Sequence, residues 1–133
     1  MLYLYHGTTS VCAAKVRNAF AQKGVEYEGV LLNLRAGDSQ KPEYTSLNPN
    51  QVVPTLVHGG VPIIESNVIL EYIDDMWPAP ALRPASPLGR ARTRSRQALN
   101  GPRARFRAAC VAAGADQHRR AGANARRATS NRD

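Results

Sequence analysis

Apolar residues form two kinds of pattern along the first half of the chain. Short runs of leucine, β-branched and aromatic residues predict four strands. Longer segments carry apolar residues at helical spacing, which predicts two amphipathic helices over 11–23 and from Ser66 onward. A shorter helix is predicted near Pro42–Leu47. The strand candidates are residues 2–6, 25–34, 52–57 and 61–64.

The order of these elements predicts the fold class. Strand, helix and strand form a βαβ unit, whose two strands are expected to be parallel. The last two strands are separated only by the turn His58–Gly60, so they form an antiparallel hairpin. The chain is therefore predicted to be an α/β protein with a mixed four-stranded sheet and helices on both faces.

The ends and faces of the two long helices also follow from the pattern. Ser10 and Ser66 are predicted as N-caps, and Gly24 as the C-terminal stop of the first helix. Each helix has one apolar stripe that should face the sheet. The stripes consist of Cys12, Val16, Ala19 and Phe20 in the first helix, and of Ile69, Tyr72, Ile73 and Met76 in the second.

A change of composition divides the chain. Residues 78–87 contain four prolines, which predicts a linker after a domain at 1–78. We expect 79–94 to hold this proline-rich linker and the start of a helical domain that is then lost. Residues 95–133 are rich in Arg and Ala and poor in large apolar side chains, so we expect a disordered or loosely helical basic tail.

Charge follows the same division. Residues 1–88 hold six Lys or Arg against eight Asp or Glu, whereas residues 89–133 hold twelve Arg against two Asp. The net charge of +8 is the sum of −2 from residues 1–88 and +10 from residues 89–133. Arginine attracts phosphates without sequence preference, but Phe106 is the tail's one aromatic residue, so we expect no specific nucleic-acid partner.

Other classes of protein are disfavoured by what the sequence contains. It has no run long and apolar enough for a membrane span, so no membrane association is expected. Two cysteines in unlike contexts and three scattered histidines favour neither a disulfide framework nor a metal site. We therefore expect a cytoplasmic protein without a metal cofactor.

Four local motifs then carry a resemblance to a known family. They are "YHGTTSVCAAKVR" from Tyr5, "LNPNQVVPTLV" from Leu47, "IIESNVILEYID" from Ile63 and "LRPASPLGRAR" from Leu82. Together they resemble the N-terminal, thioredoxin-like domain of cytosolic glutathione S-transferases, with the bacterial theta, zeta and beta-like branches closest. The resemblance covers residues 1 to about 94.

The resemblance implies that Ser10 is the catalytic residue, which donates a hydrogen bond to the glutathione sulfur. Glutathione is then a co-substrate whose thiolate attacks small electrophiles. Thr9 and Cys12 lie close enough in sequence to compete with Ser10 for the sulfur, and Ser10 alone also suits a simple N-cap. We expect Cys12 to be buried on the apolar stripe, although an exposed cysteine here would permit a mixed disulfide with glutathione.

The same resemblance implies the remaining glutathione contacts. A cis bond between Val53 and Pro54 would turn the Val53 backbone toward the cysteinyl part of the tripeptide, whereas the residues alone also suit a trans edge proline. Glu65 and Ser66 would hold the γ-glutamyl end, or else form only a helix cap beside a solvated carboxylate. Gln51, with Lys41 and Gln40, would face the glycyl end.

The predicted function is therefore that of a glutathione S-transferase acting on a small electrophile. A non-catalytic glutathione-binding or thiol-binding module is the alternative, and a basic-tailed nucleic-acid-associating protein is less favoured. In the family, a second, all-helical domain supplies most of the electrophile pocket and much of a homodimer interface. This sequence departs from that domain after "GRAR", which speaks against both activity and the family's homodimer.

The first prediction concerns the tail. Its mixture of Ala, Arg, Gly and Pro resembles a GC-rich gene read out of frame, so we expect a frameshift near Arg94. Translating the coding DNA in the other two frames should then reveal a helical second domain. If neither frame yields such a sequence, the frameshift hypothesis is wrong.

Overall fold

The computed structural model describes residues 1–100, and the predicted order of elements is confirmed there. The first two strands flank the first helix, and the last two strands precede the third helix. Two single 3₁₀ turns, Leu34–Ala36 and Asp38–Gln40, lead into the short second helix. The bounds are β1 Leu2–His6, α1 Val11–Lys23, β2 Glu28–Leu31, α2 Pro42–Thr45, β3 Thr55–His58, β4 Val61–Ile64, α3 Ser66–Met76 and α4 Pro87–Asn100.

The four strands form one mixed sheet in the order β2-β1-β3-β4. As predicted, β1 and β2 are parallel, and β3 and β4 form an antiparallel hairpin. β1 and β3 are antiparallel neighbours at the centre of the sheet. With helices against the sheet, this is a thioredoxin-like fold.

Side chains along the two central strands point alternately to the two faces of the sheet. Leu4 and Leu56 are paired across β1 and β3, and both are fully buried in the core. On the other face, Tyr5 pairs with Thr55, and the ring of Tyr44 from α2 lies 5.8 Å from that of Tyr5. The core side chains contributed by α1 and α3 are Val16, Ala19, Phe20, Ile69 and Ile73.

The apolar stripes differ from the prediction at their ends. Cys12 was expected to be buried, but it is exposed, and Ala13 is the buried residue of that turn. Ala13 lies three residues before Val16, so the stripe turns away from Cys12 at the start of α1. Met76 was expected to belong to the apolar stripe of α3. It is the last residue of that helix and is 46% exposed.

A buried carboxylate joins the two long helices to the proline-rich segment. Asp74 of α3 accepts hydrogen bonds from Lys23 Nζ at 2.6 Å, Arg83 Nε at 2.8 Å and the Leu82 amide at 2.8 Å. Lys23 Nζ also donates to the Pro80 carbonyl at 2.5 Å. Residues 80–83 are thus fixed against α1 and α3 rather than forming a free linker.

These contacts govern the ionisation of Asp74. Burial alone would raise its pKa, but hydrogen bonds from Lys23 and Arg83 outweigh burial and hold the pKa far below its ordinary value. Asp74 therefore stays charged in the folded domain below the pH at which a free aspartate takes up its proton.

Residues 86–100 belong to a second unit of the chain, which is described by itself. Ser86 caps α4 by accepting a hydrogen bond from the Gly89 amide at 3.1 Å. The helix continues through residue 94, where the sequence analysis placed the start of the tail, and reaches Asn100. The predicted disorder of 101–133 lies outside the described residues, and the predicted domain bounds stay predictions. None of the helices within residues 1–100 is long and apolar enough to cross a bilayer.

Replacing Asp74 should destabilise the domain strongly. Asp74→Asn leaves the buried Lys23 ammonium without its counter-charge, so we expect the free energy of unfolding to fall by about 3 kcal/mol. Because the folded-state pKa is lowered, the stabilisation by Asp74 is present above its ordinary pKa and is lost as pH falls below about 4. Urea unfolding across acidic pH measures both effects.

Asp75→Asn is the matched control, since Asp75 contacts the same Arg83 but is 69% exposed. Solvent screening should keep its effect below about 0.5 kcal/mol. Equal effects of the two substitutions would show that burial of the carboxylate is unimportant.

Candidate functional site

The register of the sheet brings the ends of three strands to one edge. Tyr5 pairs with Thr55, and Thr55 pairs with Ile64. The loop after β1, the residues before β3 and the residues after β4 therefore leave the sheet side by side. They carry Ser10, Val53–Pro54 and Glu65–Ser66, so the topology places the sequence-predicted residues at a common edge.

The two long helices begin at this same edge. Lys15 Nζ of α1 donates to Asn67 Oδ1 of α3 at 3.1 Å, and Lys23 contacts Asp74 at the other ends of the helices. The two helices are therefore parallel, with their N-termini adjacent. Each presents free backbone amides and the positive end of its dipole, so the edge favours anionic groups.

Ser10 caps α1 as predicted. Its Oγ accepts a hydrogen bond from the Ala13 amide at 3.2 Å, and the side chain is partly exposed. A hydroxyl that accepts one hydrogen bond still carries its own proton. Capping and donation to a ligand are therefore compatible in one side chain, whereas the sequence alone presented them as alternative interpretations.

Arg17 of α1 contacts the residues that lead from β1 to Ser10. Arg17 Nη1 lies 3.5 Å from the Gly7 carbonyl and 3.4 Å from His6 Nδ1. Burial, together with the Arg17 charge, lowers the pKa of His6, so His6 is neutral at neutral pH. Thr9 and Cys12, the two competing side chains, are both exposed on either side of Ser10. An exposed Cys12 keeps the mixed-disulfide interpretation open.

The bond between Val53 and Pro54 is cis, as the resemblance implied. Pro54 is buried immediately before β3, and Val53 is half-buried. Within residues 1–100, the Val53 amide and carbonyl have no hydrogen-bond partner. The Val53 backbone is therefore available to pair with an extended peptide in the manner of an added strand.

The N-cap of α3 lies one residue earlier than the sequence analysis placed it at Ser66. Helix α3 begins at Ser66, so Glu65 is the N-cap, and its side chain makes no capping hydrogen bond. Glu65 has φ 69° and ψ 114°, a conformation that costs a non-glycine residue free energy. Glu65 is exposed, whereas Ser66, the first residue of α3, is buried.

The three residues predicted for the glycyl end are exposed but differ in their surroundings. Gln51 has φ 58°, and its amide donates to the Asn48 carbonyl at 3.0 Å in the turn before Val53. Lys41 Nζ contacts Asp38 at 2.7 Å, so its charge is already paired. Gln40 ends the second 3₁₀ turn.

A cleft of about 540 Å³ also opens beside the β1–α1 loop, and the sequence analysis did not find it. Its lining combines three leucines with polar side chains. The apolar part comes from Leu31, Leu32 and Leu34, and the polar part from Thr8, Thr9, Asn33, Arg35 and Asp38. No periodic signal marks the loop after β2, so the pattern of apolar residues gave no hint of this cleft.

Within residues 1–100, no three His, Cys, Asp or Glu side chains lie together as a metal site would require. The edge instead combines a hydroxyl, a free backbone strand segment, a carboxylate and two helix N-termini. Groups of this kind are chemically suited to a small extended peptide with anionic groups, and they lie on a thioredoxin-like domain.

Comparison with known proteins identifies the family. Residues 1–75 match the family model for the N-terminal domain of glutathione S-transferases. This chain belongs to the glutathione S-transferase family.

The relatives include zeta-class members. Maleylacetoacetate isomerase from Pseudomonas aeruginosa is 42% identical over 103 residues, covering 75% of this chain and 48% of the relative. Glutathione S-transferase Z2 from Arabidopsis thaliana is 42% identical over 84 residues, covering 63% and 38%. A maleylacetoacetate isomerase structure from Methylobacterium extorquens, with bound malonate and glutathione, is 40% identical with a TM-score of 0.66, covering 70% and 44%. The chain thus spans less than half the length of these three relatives.

The strained backbone at Glu65 yields a prediction. Glycine adopts positive φ without steric cost, so Glu65→Gly should be more stable than Glu65→Ala by about 1 kcal/mol, although alanine ordinarily stabilises a chain relative to glycine. Urea unfolding of both variants measures the difference. A more stable Glu65→Ala variant would contradict the strain at this position.

Proposed function

We propose that this chain binds glutathione at the sheet edge and that Ser10 activates its sulfur for attack on a small electrophile. The observation that carries the proposal is the register Tyr5–Thr55–Ile64, which gathers Ser10, Val53–Pro54 and Glu65–Ser66 at one edge. Glutathione-bound relatives of the same fold support the choice of ligand.

The role proposed for Ser10 follows from the chemistry of thiols. A free thiol has a pKa of about 8.5 and is mostly protonated at neutral pH, whereas the thiolate is the nucleophile. Lowering this pKa by about two units requires roughly 2.7 kcal/mol of preferential stabilisation of the thiolate. A hydrogen bond from the Ser10 hydroxyl, together with the N-terminal dipole of α1, has the required size.

The other site residues hold the tripeptide. The Val53 amide and carbonyl pair with the cysteinyl backbone, which aligns the sulfur with Ser10. At the γ-glutamyl end, Glu65 binds the α-ammonium group, and the Ser66 amide and hydroxyl bind the α-carboxylate at the N-terminus of α3. Gln51 lies toward the glycyl end.

The electrophile must reach the sulfur beside Ser10. The cleft beside Thr9 offers leucine side chains and the Arg35 guanidinium to a partly apolar molecule. Relatives named as maleylacetoacetate and maleylpyruvate isomerases make isomerisation as suitable a reaction as conjugation. Because the chain spans less than half of those first relatives, turnover and the family's homodimer depend on parts that the match does not cover.

Measuring the ionisation of bound glutathione tests the proposed role of Ser10. Ultraviolet thiolate absorbance, followed against pH with excess protein, should give a pKa about two units below that of free glutathione. Ser10→Ala should return this pKa most of the way to its free value. Thr9→Ala is the matched control and should leave it unchanged.

A pKa that Ser10→Ala leaves unchanged would show that another group stabilises the thiolate. If bound glutathione ionises like free glutathione even in the unaltered protein, the chain is the non-catalytic thiol-binding module that the sequence analysis kept as its alternative.

Retention on two resins separates glutathione binding from association through the basic tail. We expect the protein to bind immobilised glutathione at moderate salt and to elute with free glutathione. Binding to a polyanion resin should disappear at the same salt, because phosphate contacts of arginine are screened. Salt-resistant retention on the polyanion, with no retention on glutathione, would favour a nucleic-acid partner.

A further inference from the structure

A fully buried set of polar side chains underlies the turn before Val53. Tyr44, Asn48 and Thr55 are 3%, 0% and 0% exposed. Tyr44 and Asn48 both contact the backbone carbonyl of Val52, and Thr55 contacts Tyr44 and Asn48. We call these three side chains with the Val52 carbonyl the Tyr44 network. Tyr44 Oη lies 2.6 Å from the Val52 oxygen and 2.8 Å from Thr55 Oγ1. Asn48 Nδ2 lies 2.8 Å from the Val52 oxygen and 3.0 Å from Thr55 Oγ1.

One arrangement of protons satisfies every contact in this network. The Tyr44 hydroxyl donates to the Val52 carbonyl, and the Thr55 hydroxyl donates to Tyr44. The two amide protons of Asn48 go to the Val52 carbonyl and to Thr55. The Asn48 oxygen accepts from the Asn50 amide at 3.0 Å, which closes the turn. Burial also raises the pKa of Tyr44, so its hydroxyl keeps the proton that it donates.

This network fixes the residue that directly precedes the proposed glutathione contact. Val52 is itself 52% exposed, so its side chain provides little packing that would hold the backbone. Val53 has no backbone hydrogen bond within the described residues. The orientation of the Val53 amide therefore depends on the Val52 carbonyl on one side and on the buried Pro54 on the other.

We infer that Tyr44, Asn48 and Thr55 are positioning residues, which hold the Val53 backbone in the orientation that pairs with the cysteinyl part of glutathione. The inference rests on the proposed function. None of the three touches the ligand in this account. They act through the Val52 carbonyl. Removing one of these side chains should therefore lower the fraction of molecules in which the Val53 backbone is oriented to bind glutathione. The apparent affinity for glutathione falls with that fraction.

Thr55 provides a test in which hydroxyl and packing can be separated. Thr55→Val keeps the shape of the side chain but removes the hydroxyl, so we expect glutathione affinity to fall about fivefold. Thr55→Ser keeps the hydroxyl but removes a buried methyl group, so it should lose stability yet bind within about twofold of the unaltered protein. Tyr44→Phe should weaken binding about fivefold as well.

Calorimetric titration of the full chain with glutathione measures these affinities, at a temperature where urea unfolding shows each variant to be folded. Ile73→Val is the control for stability, because Ile73 is a fully buried core residue of α3 that has no part in the Tyr44 network. It should lose stability without losing affinity.

The outcomes are distinct. Weak binding by Thr55→Val with near-normal binding by Thr55→Ser supports the inference, since a purely structural role would follow stability instead. Unchanged affinity in both Thr55→Val and Tyr44→Phe overturns the inference and leaves the proposed function intact. An Ile73→Val variant that weakens binding as much as Thr55→Val also overturns it. If the unaltered chain does not bind glutathione, both proposals fail together.

Discussion

The antiparallel pairing of β1 with β3 and of β3 with β4 is the constraint on which the rest of the site depends. It aligns Tyr5, Thr55 and Ile64 across the sheet, so three separate stretches of chain leave at one edge. The parallel alignment of α1 and α3, fixed at both ends by Lys15–Asn67 and Lys23–Asp74, brings two helix N-termini to the same edge. The strand register and the alignment of the two helices therefore determine where the residues of the site lie.

Local polar contacts then set the conformation of the groups at this edge. Ser10 caps its helix by accepting a hydrogen bond from the Ala13 amide, which leaves the Ser10 hydroxyl proton free to be donated. Glu65 occupies a strained backbone conformation at the start of α3. The Tyr44 network holds the Val52 carbonyl by directed hydrogen bonds. Directed hydrogen bonds fix the orientation of a backbone segment more narrowly than apolar packing does.

The sequence predicted the elements that are marked by a periodic apolar pattern or by a capping residue. The strands, the long helices, the Ser10 cap and the Gly24 stop all follow from such signals. Exposed Cys12 was mistaken for a core residue, because spacing alone does not show where a stripe leaves the sheet. The hydrogen bonds of Asp74 with Lys23, Leu82 and Arg83 were not predicted, because they join segments that no periodic signal links. The buried hydrogen bonds of Asn48 were not predicted either, because neither spacing nor composition marks them. The cis bond at Pro54 required the family resemblance.

The central claim is that one edge of the sheet binds glutathione with its sulfur at the start of α1. Backbone amide chemical shifts, followed by NMR during titration with glutathione, test this claim residue by residue. The account predicts the largest changes at Ser10, Val53 and Ser66, which are remote in sequence but share the edge. Changes confined to other parts of the chain, with these three amides unaffected, would contradict it.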